Sequence, residues 1–451
     1  MDFTSILRGL FGILLLVGIS FVLSNNKSKI NWRLVAGGLA LQFVFAVLIL
    51  KGEDLRLFFS PLGWPKDFFN WISYFFVLVL NFTTEGASFV FGDLAKPPGA
   101  EGSLGSFFAF QVLPTIIFFA SLMSLLYYLG IMQMIVKGMA WIMAKTLGTS
   151  GAESLSCSAN IFVGQTEAPL MIKPFLNKMT KSEILTVMVG GMATIAGGVM
   201  AAYIQILGTA YALKNGIPLI EAQQLFATHL LGASVMAAPA GVVISKILFP
   251  ETSEPVTKGT VKIEVEKNAS NVIEAAANGA ADGWKLAINV GAMLLAFIAL
   301  IALVNYLLNG FGDIININET LIAKFGQPLS FQLLIGLVLQ FVAFGIGVPW
   351  EDALSFGSLL GVKVVLNEFV AYTEMGTLVE LGEILNEKTI LMLTYALCGF
   401  ANFSSIAIQI GGIGPLAPDR KSDIAALGIK AVTGGVLATL MTATLAGLLF
   451  S

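Results

Sequence analysis

The sequence predicts an all-α protein that crosses a membrane several times. Of its 451 residues, 56% are apolar and 12% are charged, against roughly 45–50% and 25% in soluble domains. Apolar runs of about 20 residues, the length that crosses a ~30 Å hydrocarbon core as a helix, recur along almost the whole chain. The 47 glycines suit close packing between helices in lipid. We therefore predict a polytopic membrane protein.

The same composition excludes several functions. With 25 Lys and Arg against 28 Asp and Glu, the net charge is −3, so the chain offers no basic surface for nucleic acid. Two Cys and one His cannot build a disulfide framework, a His/Cys metal cluster or a His-based catalytic relay. No Gly-Lys dipeptide occurs, which removes the phosphate-binding P-loop of an ATPase. We therefore expect a protein that is not an enzyme.

Eight apolar runs are predicted to be transmembrane helices. They cover residues 6–23, 34–50, 107–129, 184–213, 221–248, 284–308, 388–410 and 424–449. The first is expected to be a retained span, because no small-x-small cleavage motif follows it. Two further segments, 131–147 and 331–348, each precede a polar-interrupted stretch too short to cross and return as two full helices. We predict interfacial helices there, each leading into a re-entrant hairpin.

The distribution of charge predicts the orientation. If the N-terminus is outside, fifteen Lys and Arg residues fall on the inner side and seven on the outer side. Because cytoplasmic loops carry an excess of positive charge, this distribution favours both termini outside. The segment 52–106, with Trp64, Trp71 and many Phe, suits a helical region at the membrane surface.

The order of parts repeats in the two halves of the chain. Each half has an apolar segment, a short arm, a polar turn and then a helix interrupted by small or polar residues. The polar turns are Asn160-Ile-Phe-Val-Gly-Gln-Thr-Glu-Ala-Pro169 and Leu366-Asn-Glu-Phe-Val-Ala-Tyr-Thr-Glu374. The first hairpin is predicted to enter from inside and the second from outside, which is the inverted-repeat arrangement of secondary transporters.

This repeat divides the chain into four predicted parts. They are an N-terminal region of scaffold spans and interfacial segments (1–106), a first repeat with its hairpin near 151–177 (107–248), a cytoplasmic connector (249–283) and a second repeat with its hairpin near 352–376 (284–451).

Carboxylates in the polar turns point to a binding site. Placing Glu167 or Glu368 near the middle of a membrane costs roughly 2.5–3.5 kcal/mol on insertion scales, so each needs a partner, water or a ligand. A single acid could equally cap a turn or pair with a neighbouring helix. Here Asn160, Gln165 and Thr166 accompany the first acid, and a set of small polar residues accompanies the second. That set is Asn367, Asn402, Ser404 and Ser405. Several donors and acceptors at one depth favour a site for a polar solute.

A cation site is also predicted from the residues. Gly164 and Pro169 mark a turn at membrane depth, where unpaired backbone groups are themselves a binding surface. The glycines around Thr194 are by themselves typical of close helix packing. Thr194 with exposed carbonyls beside it could join Asn160 in an all-oxygen site, the ligand type that sodium prefers.

Three motifs resemble those of one transporter family. They are Gly-Gln-Thr-Glu-Ala-Pro at 164–169, Asn-Glu-Phe-Val-Ala-Tyr at 367–372 and Cys-Gly-Phe-Ala-Asn-Phe-Ser-Ser-Ile-Ala-Ile at 398–408. They look like the corresponding strings of the concentrative nucleoside transporters, and the resemblance extends over nearly the whole chain. It implies a cation-coupled nucleoside symporter, a multi-pass protein of the cell membrane (a bacterial inner membrane) and a homotrimer in the lipid bilayer.

The resemblance also implies roles for individual residues. The nucleobase would contact the first hairpin and the following helix, at Gln165, Thr166, Glu167 and Val199. The ribose would contact Glu368, Asn402 and Ser405, with Phe400 lining the site. Sodium, the coupling ion, would be held by Asn160, Thr194 and the carbonyl oxygens of Val163 and Ile195. The family has serine at the position of Thr194, so the hydroxyl is kept but the residue differs.

The chemistry of these residues is compatible with a nucleoside such as uridine. Ribose hydroxyls can donate to the Glu368 carboxylate, while Gln165 and Thr166 can both donate to and accept from the edge of a base. The three motifs contain no Lys or Arg, so a phosphate would be rejected.

Three alternatives remain at this point. A proton-coupled nucleoside symporter differs in its ion, and a passive solute channel differs because it cannot accumulate substrate. An intramembrane hydrolase is weaker, since the sole His has no nucleophile or acid at a suitable spacing.

Overall fold

The computed structural model describes residues 3–96, 100–105, 107–259, 269–384 and 386–450, and almost all of this backbone is helical. Across those ranges the only β-type pairing is one isolated bridge between Ser150 and Lys258. The prediction of an all-α protein is confirmed.

The part of the chain up to residue 147, which includes the start of the predicted first repeat, consists of helices that leave large apolar side chains on the outside. These helices are α1 (Phe3–Val22), α2 (Trp32–Leu50), α3 (Gly52–Phe58), α4 (Trp64–Phe91), α5 (Phe108–Gln111), α6 (Leu113–Tyr128) and α7 (Ile131–Leu147). α7 has the bounds predicted from the sequence. It begins after Gly130 and ends before Gly148, and both glycines adopt the left-handed conformation that stops a helix, with φ of 82° and 67°.

The rest of the predicted first repeat (107–248) contains a short polar turn and an interrupted helix. Its helices are α8 (Gly151–Ala159), α9 (Lys173–Leu176), α10 (Lys181–Ala193), α11 (Gly197–Asn215) and α12 (Leu219–Leu248). Capping boxes fix the starts of α8 and α10, where Ser150 pairs reciprocally with Glu153 and Thr180 with Glu183. The glycines beside Thr194 predict an interruption around Ala193 to Val199, and the break lies at 194–196, between α10 and α11.

The predicted second repeat (284–451) also contains a polar turn followed by an interrupted helix. Its helices are α13 (Val272–Ile314), α14 (Asn318–Phe325), α15 (Phe331–Gly345), α16 (Trp350–Val365), α17 (Glu368–Glu380), α18 (Glu387–Ala396), α19 (Phe403–Ile413) and α20 (Lys421–Leu449). Asn367 and Asn402 cap α17 and α19, because each side-chain oxygen accepts a hydrogen bond from a backbone N–H three residues later. The polar residues of the two motifs therefore start helices at the places where the chain turns or breaks.

The described residues contain eight helical segments long and apolar enough to cross a membrane, counting α10 and α11 as one segment. The number agrees with the sequence prediction, but one member differs. The predicted span 388–410 is two short helices, α18 and α19, separated by the break at 397–402. In its place the structure has a continuous helical segment over 60–95, inside the region predicted to lie at the membrane surface.

Two predicted connecting segments are also more helical than expected. α13 is 43 residues long and starts at Val272, so the last turns of the predicted connector 249–283 belong to it. Residues 260–268 of that connector lie outside the described ranges. Asn309, Gly310, Gly312 and Pro328 predict a second loop over 309–330, but α13 continues to Ile314 and α14 follows.

The buried centre of the molecule includes α10, α11 and α12. In the most apolar 18-residue stretches of 181–215 and 219–248, 89% and 94% of the residues are buried. In the corresponding stretch of Val272–Ile314 only 11% are buried. Close approach of small residues supports this packing, since a Cβ on Gly241 would lie 3.6 Å from the Cα of Gly190. The interrupted helices are thus held in the interior, and α13 presents an apolar surface outward.

Candidate functional site

A cavity of about 620 Å³ lies where the hairpins meet the interrupted helices. Its walls come from α6, the tip of the first hairpin, α11, α13, the start of α17 and the break before α19. This volume falls within the roughly 300–1,000 Å³ of small-molecule sites. The lining includes all eight substrate residues predicted from the sequence: Gln165, Thr166, Glu167, Val199, Glu368, Phe400, Asn402 and Ser405.

The amide of Gln165 joins the first hairpin to α19. Gln165 is 6% exposed, and its Nε2 donates to the Ser405 hydroxyl at 3.0 Å. Its Oε1 accepts from Nε2 of Gln409 at 3.0 Å, and the same Gln409 nitrogen donates to the Met188 carbonyl at 2.9 Å. Gly191 permits this approach, since a Cβ there would lie 2.8 Å from the Cβ of Gln165. The Gln165 amide is therefore held in one orientation at the cavity wall.

Glu167 differs from the sequence prediction of a buried acid at each hairpin tip. The prediction is wrong for Glu167, whose side chain is exposed and lies on the cavity side of the turn. Its carboxylate folds back over Gly164, which leaves room for it by lacking a side chain. Thr166 beside it is half-buried. The first hairpin therefore offers a movable charged group next to a fixed amide.

Glu368 is the buried acid of the second hairpin. It is 5% exposed, and each of its carboxylate oxygens accepts a hydrogen bond. Asn402 Nδ2 donates to Oε2 at 2.9 Å, and the Tyr203 hydroxyl donates to Oε1 at 3.0 Å. Glu368 is also the first residue of α17, where the free N–H groups of the helix start favour a negative charge. The carboxylate retains unused lone pairs that a ligand can bind.

Asn402 is held from both ends of its amide. Its Oδ1 accepts from the Ser405 backbone N–H at 2.9 Å and from the Ser404 hydroxyl at 2.7 Å. Since its nitrogen donates to Glu368, the orientation of the amide is fixed by its partners. Val199, 4% exposed, and Phe400, half-buried, add apolar surface to the same cavity.

The two helix interruptions meet beside the first hairpin. The Phe400 N–H donates to the Thr194 carbonyl at 3.4 Å, and the Gly197 N–H donates to the Phe162 carbonyl at 3.0 Å. The hairpin segment with Asn160 is therefore adjacent to the break that contains Thr194. This juxtaposition unites the segments that carry the four predicted cation ligands: Asn160, Val163, Thr194 and Ile195.

Asn160 has the properties of a cation ligand. It is 1% exposed, and within the described residues neither polar atom of its side chain has a hydrogen-bond partner. Leaving such a group unsatisfied costs about 1–3 kcal/mol, which an oxygen-seeking ion would offset. Thr194, also 1% exposed, donates its hydroxyl to the Gly190 carbonyl at 2.9 Å, so its oxygen lone pairs remain available. In the part of the chain that the structure describes, no group of three His, Cys, Asp or Glu residues could hold a metal, so a cation here would depend on neutral oxygens.

Sequence reasoning missed three polar residues of this region. Tyr203 bonds to Glu368, Gln409 orients Gln165, and Lys363 is fully buried in the first arm of the second hairpin. A helical spacing could have found the first two, since Tyr203 lies four residues after Val199 and Gln409 four after Ser405.

Comparison with known proteins identifies the family. The family models described as "Na+ dependent nucleoside transporter N-terminus", "Nucleoside recognition" and "Na+ dependent nucleoside transporter C-terminus" match residues 11–94, 109–210 and 229–447. Nucleoside permease NupC of Helicobacter pylori is 41% identical over 449 residues, which cover 98% of each chain. The chain belongs to the Na+-dependent nucleoside transporter family. This is a family of transporters, in which sodium is the coupling ion, and not of enzymes.

Further members of this Na+-dependent nucleoside transporter family extend the likeness. Sodium/nucleoside cotransporter 1 of Rattus norvegicus is 41% identical over 452 residues, covering 97% of this chain and 63% of the rat protein. CNTnw in an inward-facing substrate-bound state is 41% identical, with a TM-score of 0.83 and 98% of both chains covered. A doubly substituted CNTnw in an outward-facing state gives a TM-score of 0.86 at 40% identity, with 99% of both covered. One fold in this family therefore adopts both facing states.

Proposed function

We propose that this protein imports nucleosides into the cell by symport with sodium, through alternating access to the cavity between its two hairpins. The observation that carries the proposal is the Glu368 carboxylate, buried at the cavity wall and held by Asn402 and Tyr203. A buried charge in an apolar membrane protein is costly unless it serves a function. Here it is positioned to accept hydrogen bonds from a ligand.

The ribose is proposed to bind at the second hairpin. Vicinal hydroxyls are paired donors, and a carboxylate with two oxygens can accept both. Asn402 and Ser405 lie beside Glu368 on the same wall and supply further polar contacts, while Phe400 covers the apolar face of the sugar. Because hydrogen bonds to a charged acceptor are stronger than neutral ones, this half would supply most of the polar binding energy.

The nucleobase is proposed to bind at the first hairpin. Gln165, Thr166 and Glu167 present amide, hydroxyl and carboxylate groups to the cavity, and Val199 presents an apolar surface to the plane of the ring. A base edge with mixed donors and acceptors can pair with such a set. The exposed carboxylate of Glu167 can rotate, which suits bases with different edges.

The charge of the cavity favours a nucleoside over a nucleotide. Among its described lining residues, Lys173 is the single cation, whereas Glu167, Asp282 and Glu368 are acids. A phosphate would therefore meet a net negative wall. The neutral sugar and base meet no such repulsion.

Sodium is proposed to bind between the first hairpin and the break after α10. Asn160 Oδ1, the Thr194 hydroxyl and the carbonyl oxygens of Val163 and Ile195 are neutral oxygens, the ligand type of a hard monovalent cation. The supporting observation is the unpartnered, buried side chain of Asn160. Because the same hairpin carries Gln165, sodium binding would order the residue that meets the base.

The two hairpins are proposed to be re-entrant and related as inverted repeats. Each follows an apolar helix, α7 or α15, and each precedes an interrupted helix. The cavity extends from the hairpin tips to Tyr127 of α6 and Ala275 of α13, the ends that charge distribution places in the cytoplasm. We infer an inward-facing arrangement.

The surface position of α4 follows from the same orientation. If α4 crossed the membrane between α2 and α6, the later Lys-rich segments around Lys173 and Lys246 would move to the outer side, against the positive-inside rule. Exposed aromatic side chains on α4, among them Trp64 at 67% and Trp71 at 65%, suit the interface. We therefore propose that α4 lies at the outer membrane surface and that both termini are outside.

A homotrimer in the cell membrane, a bacterial inner membrane, completes the proposal. In this arrangement α1, α2, α6 and α13 form the scaffold, and the hairpin-bearing remainder slides against it as the transport domain. The outward apolar surface of α13 supports contact with lipid or with further copies of the chain.

The experiment is uptake of labelled uridine into proteoliposomes containing the purified protein. An inward sodium gradient is expected to drive internal uridine above the external concentration, and replacing sodium by choline should abolish the accumulation. Equilibration without accumulation would indicate a channel. Accumulation driven by a proton gradient in choline would indicate the proton-coupled alternative.

A further inference from the structure

Lys363 is a fully buried cation in the second hairpin. Its side chain is 0% exposed, and Nζ donates to the Ala396 carbonyl at 2.8 Å and to the Thr439 hydroxyl at 3.1 Å. Both acceptors are neutral oxygens. Ala396 is the last residue of α18, where the carbonyl ends of the helix carry a partial negative charge that favours a cation.

The bases of the two hairpins correspond in position. Glu153 is the third residue of α8, and Asp352 is the third residue of α16. The start of the first hairpin is tied to α10, since the Ser150 hydroxyl donates to Glu183 at 2.5 Å. In the second hairpin Asp352 Oδ2 accepts from N and Nδ2 of Asn386, the cap of α18, at 3.1 and 3.0 Å. Each hairpin is thus fastened to the start of the interrupted helix that follows it.

The tips of the hairpins correspond as well. Asn160 lies five residues before Gln165, and Lys363 lies five residues before Glu368. The second arm is longer by four residues between its base and this position, which is about one helical turn. Lys363 and Asn160 therefore occupy equivalent places, one behind each tip.

The surroundings of these two residues are similar if sodium binds as proposed. The proposed sodium site joins Asn160 to Thr194, the residue directly after α10. The Lys363 ammonium is bound by the carbonyl of Ala396, the last residue of α18. In each repeat the residue near the hairpin tip is thus paired with the end of the first half-helix, by proposal in the first repeat and by a hydrogen bond in the second. One repeat offers a neutral oxygen there, and the other supplies an ammonium.

We infer that the Lys363 ammonium is a tethered cation, which takes in the second repeat the place that sodium takes in the first. The inference rests on the proposed sodium site at Asn160 and Thr194. An ammonium is a compact monovalent cation that binds the same carbonyl and hydroxyl oxygens. The ammonium lies on the same hairpin as the buried Glu368 carboxylate, five residues before it.

This arrangement assigns different roles to the two hairpins. The second hairpin is organised permanently by its own lysine, and the first is organised only when sodium binds. Substrate binding should therefore depend on one sodium ion. If Lys363 is replaced by a residue with a neutral side-chain oxygen, the second hairpin should also need sodium to be organised, as the first hairpin does.

The test compares Lys363→Asn with Lys363→Met in sodium titrations of uridine binding, measured by calorimetry on the purified protein. The wild type should give a Hill slope of about 1, and Lys363→Asn a slope rising towards 2, since the slope is bounded by the number of sites. Lys363→Asn should also bind uridine about tenfold or more weakly at low sodium, a loss of about 1.4 kcal/mol, and recover at high sodium. Lys363→Met should bind weakly at every sodium concentration.

Several outcomes would overturn the inference. Lys363 would have only a structural role if Lys363→Asn gave a Hill slope of one and an unchanged affinity for uridine. The same conclusion would follow if Lys363→Met recovered its uridine binding at high sodium. If neither variant folds, the test is the number of sodium ions transported with each uridine by the wild type. This ratio is measured in proteoliposomes from the gradients at which net uptake reverses. A ratio of one is expected, and a ratio of two contradicts the tethered cation.

Asn160→Ala in the same titration separates this inference from the proposed function. A rise of about tenfold in the sodium concentration that Asn160→Ala needs, together with a slope of one in Lys363→Asn, would retain the sodium site and reject the role of Lys363. Binding by the wild type without any sodium dependence would reject the proposed function itself.

Discussion

Asn402 donates its side-chain amide to Glu368, with 2.9 Å between Nδ2 and Oε2. This hydrogen bond joins the break before α19 to the tip of the second hairpin. It fixes a buried carboxylate at the cavity wall and leaves lone pairs for a ligand. The proposed ribose site depends on this pair, and several predictions can be made from its surroundings.

Glu368→Gln should weaken uridine binding by about tenfold to a hundredfold, because charged hydrogen bonds contribute about 1.5–3 kcal/mol each and the carboxylate is the main acceptor. The protein should remain folded, since an amide of the same size can still accept from Asn402. Calorimetry measures the loss. The matched control is Glu380→Gln, at the exposed end of the same helix, which should bind normally. An unchanged affinity in Glu368→Gln would remove this residue from the site.

Tyr203→Phe should weaken uridine binding by a smaller factor, of about threefold to tenfold, the effect of one hydrogen bond of about 0.5–1.5 kcal/mol. The ring should keep its place, because it packs against Tyr372 and Phe369 with centroid separations of 4.3 and 4.8 Å. Tyr211→Phe is the control, since its hydroxyl bonds to the peripheral Glu387. Equal effects of the two changes would contradict a role for the Tyr203 hydroxyl.

Asn160→Ala should weaken the dependence of uridine uptake on sodium, because it removes the buried, unpartnered amide of the proposed cation site. The concentration of sodium giving half-maximal uptake should rise by about tenfold, which corresponds to about 1.4 kcal/mol. Ser156→Ala is the control, since its hydroxyl is also buried without a partner among the described residues but lies one turn earlier in α8. A sodium titration that is identical to that of the wild type would reject the role of Asn160.

Lys246→Met should lower the stability of the protein. Lys246 Nζ lies 2.8 Å from Glu153 Oε2, with side-chain exposures of 6% and 2%. Breaking a buried pair by removing one partner costs about 3–5 kcal/mol, because the remaining charge is left uncompensated. The melting temperature in detergent should fall, and Glu153→Gln added to this variant should restore part of it. Lys258→Met is the control, because Lys258 belongs to an exposed ion pair, and its melting temperature should not change. An equal fall in the melting temperature of both variants would contradict a special role for the buried pair.

The sequence predicts where helices start and break around the polar motifs, because Gly, Pro and the capping amides are local signals. Asn367 and Asn402 are examples, since each starts a helix where the chain turns. The apolar run 388–410 is long enough for one span, but it contains small and polar residues in its middle. In the structure these residues divide it into two helices.

The partners of single polar residues could not be predicted in the same way. Tyr203, Gln409 and Lys363 each lie alone in an apolar helix, and their contacts join segments more than thirty residues apart. Spacing shows which face of a helix a residue occupies, but the choice of partner depends on tertiary packing. For the same reason the exposure of Glu167 is not encoded in its motif.

The most direct test of the central claim compares uridine with 2′,3′-dideoxyuridine in the wild type and in Glu368→Gln. If Glu368 binds the ribose hydroxyls, the dideoxy compound should bind the wild type about tenfold or more weakly than uridine, a difference of about 1.4 kcal/mol or more. In Glu368→Gln that difference should largely disappear. A difference of the same size in both proteins would show that the ribose does not meet Glu368 and would contradict the account.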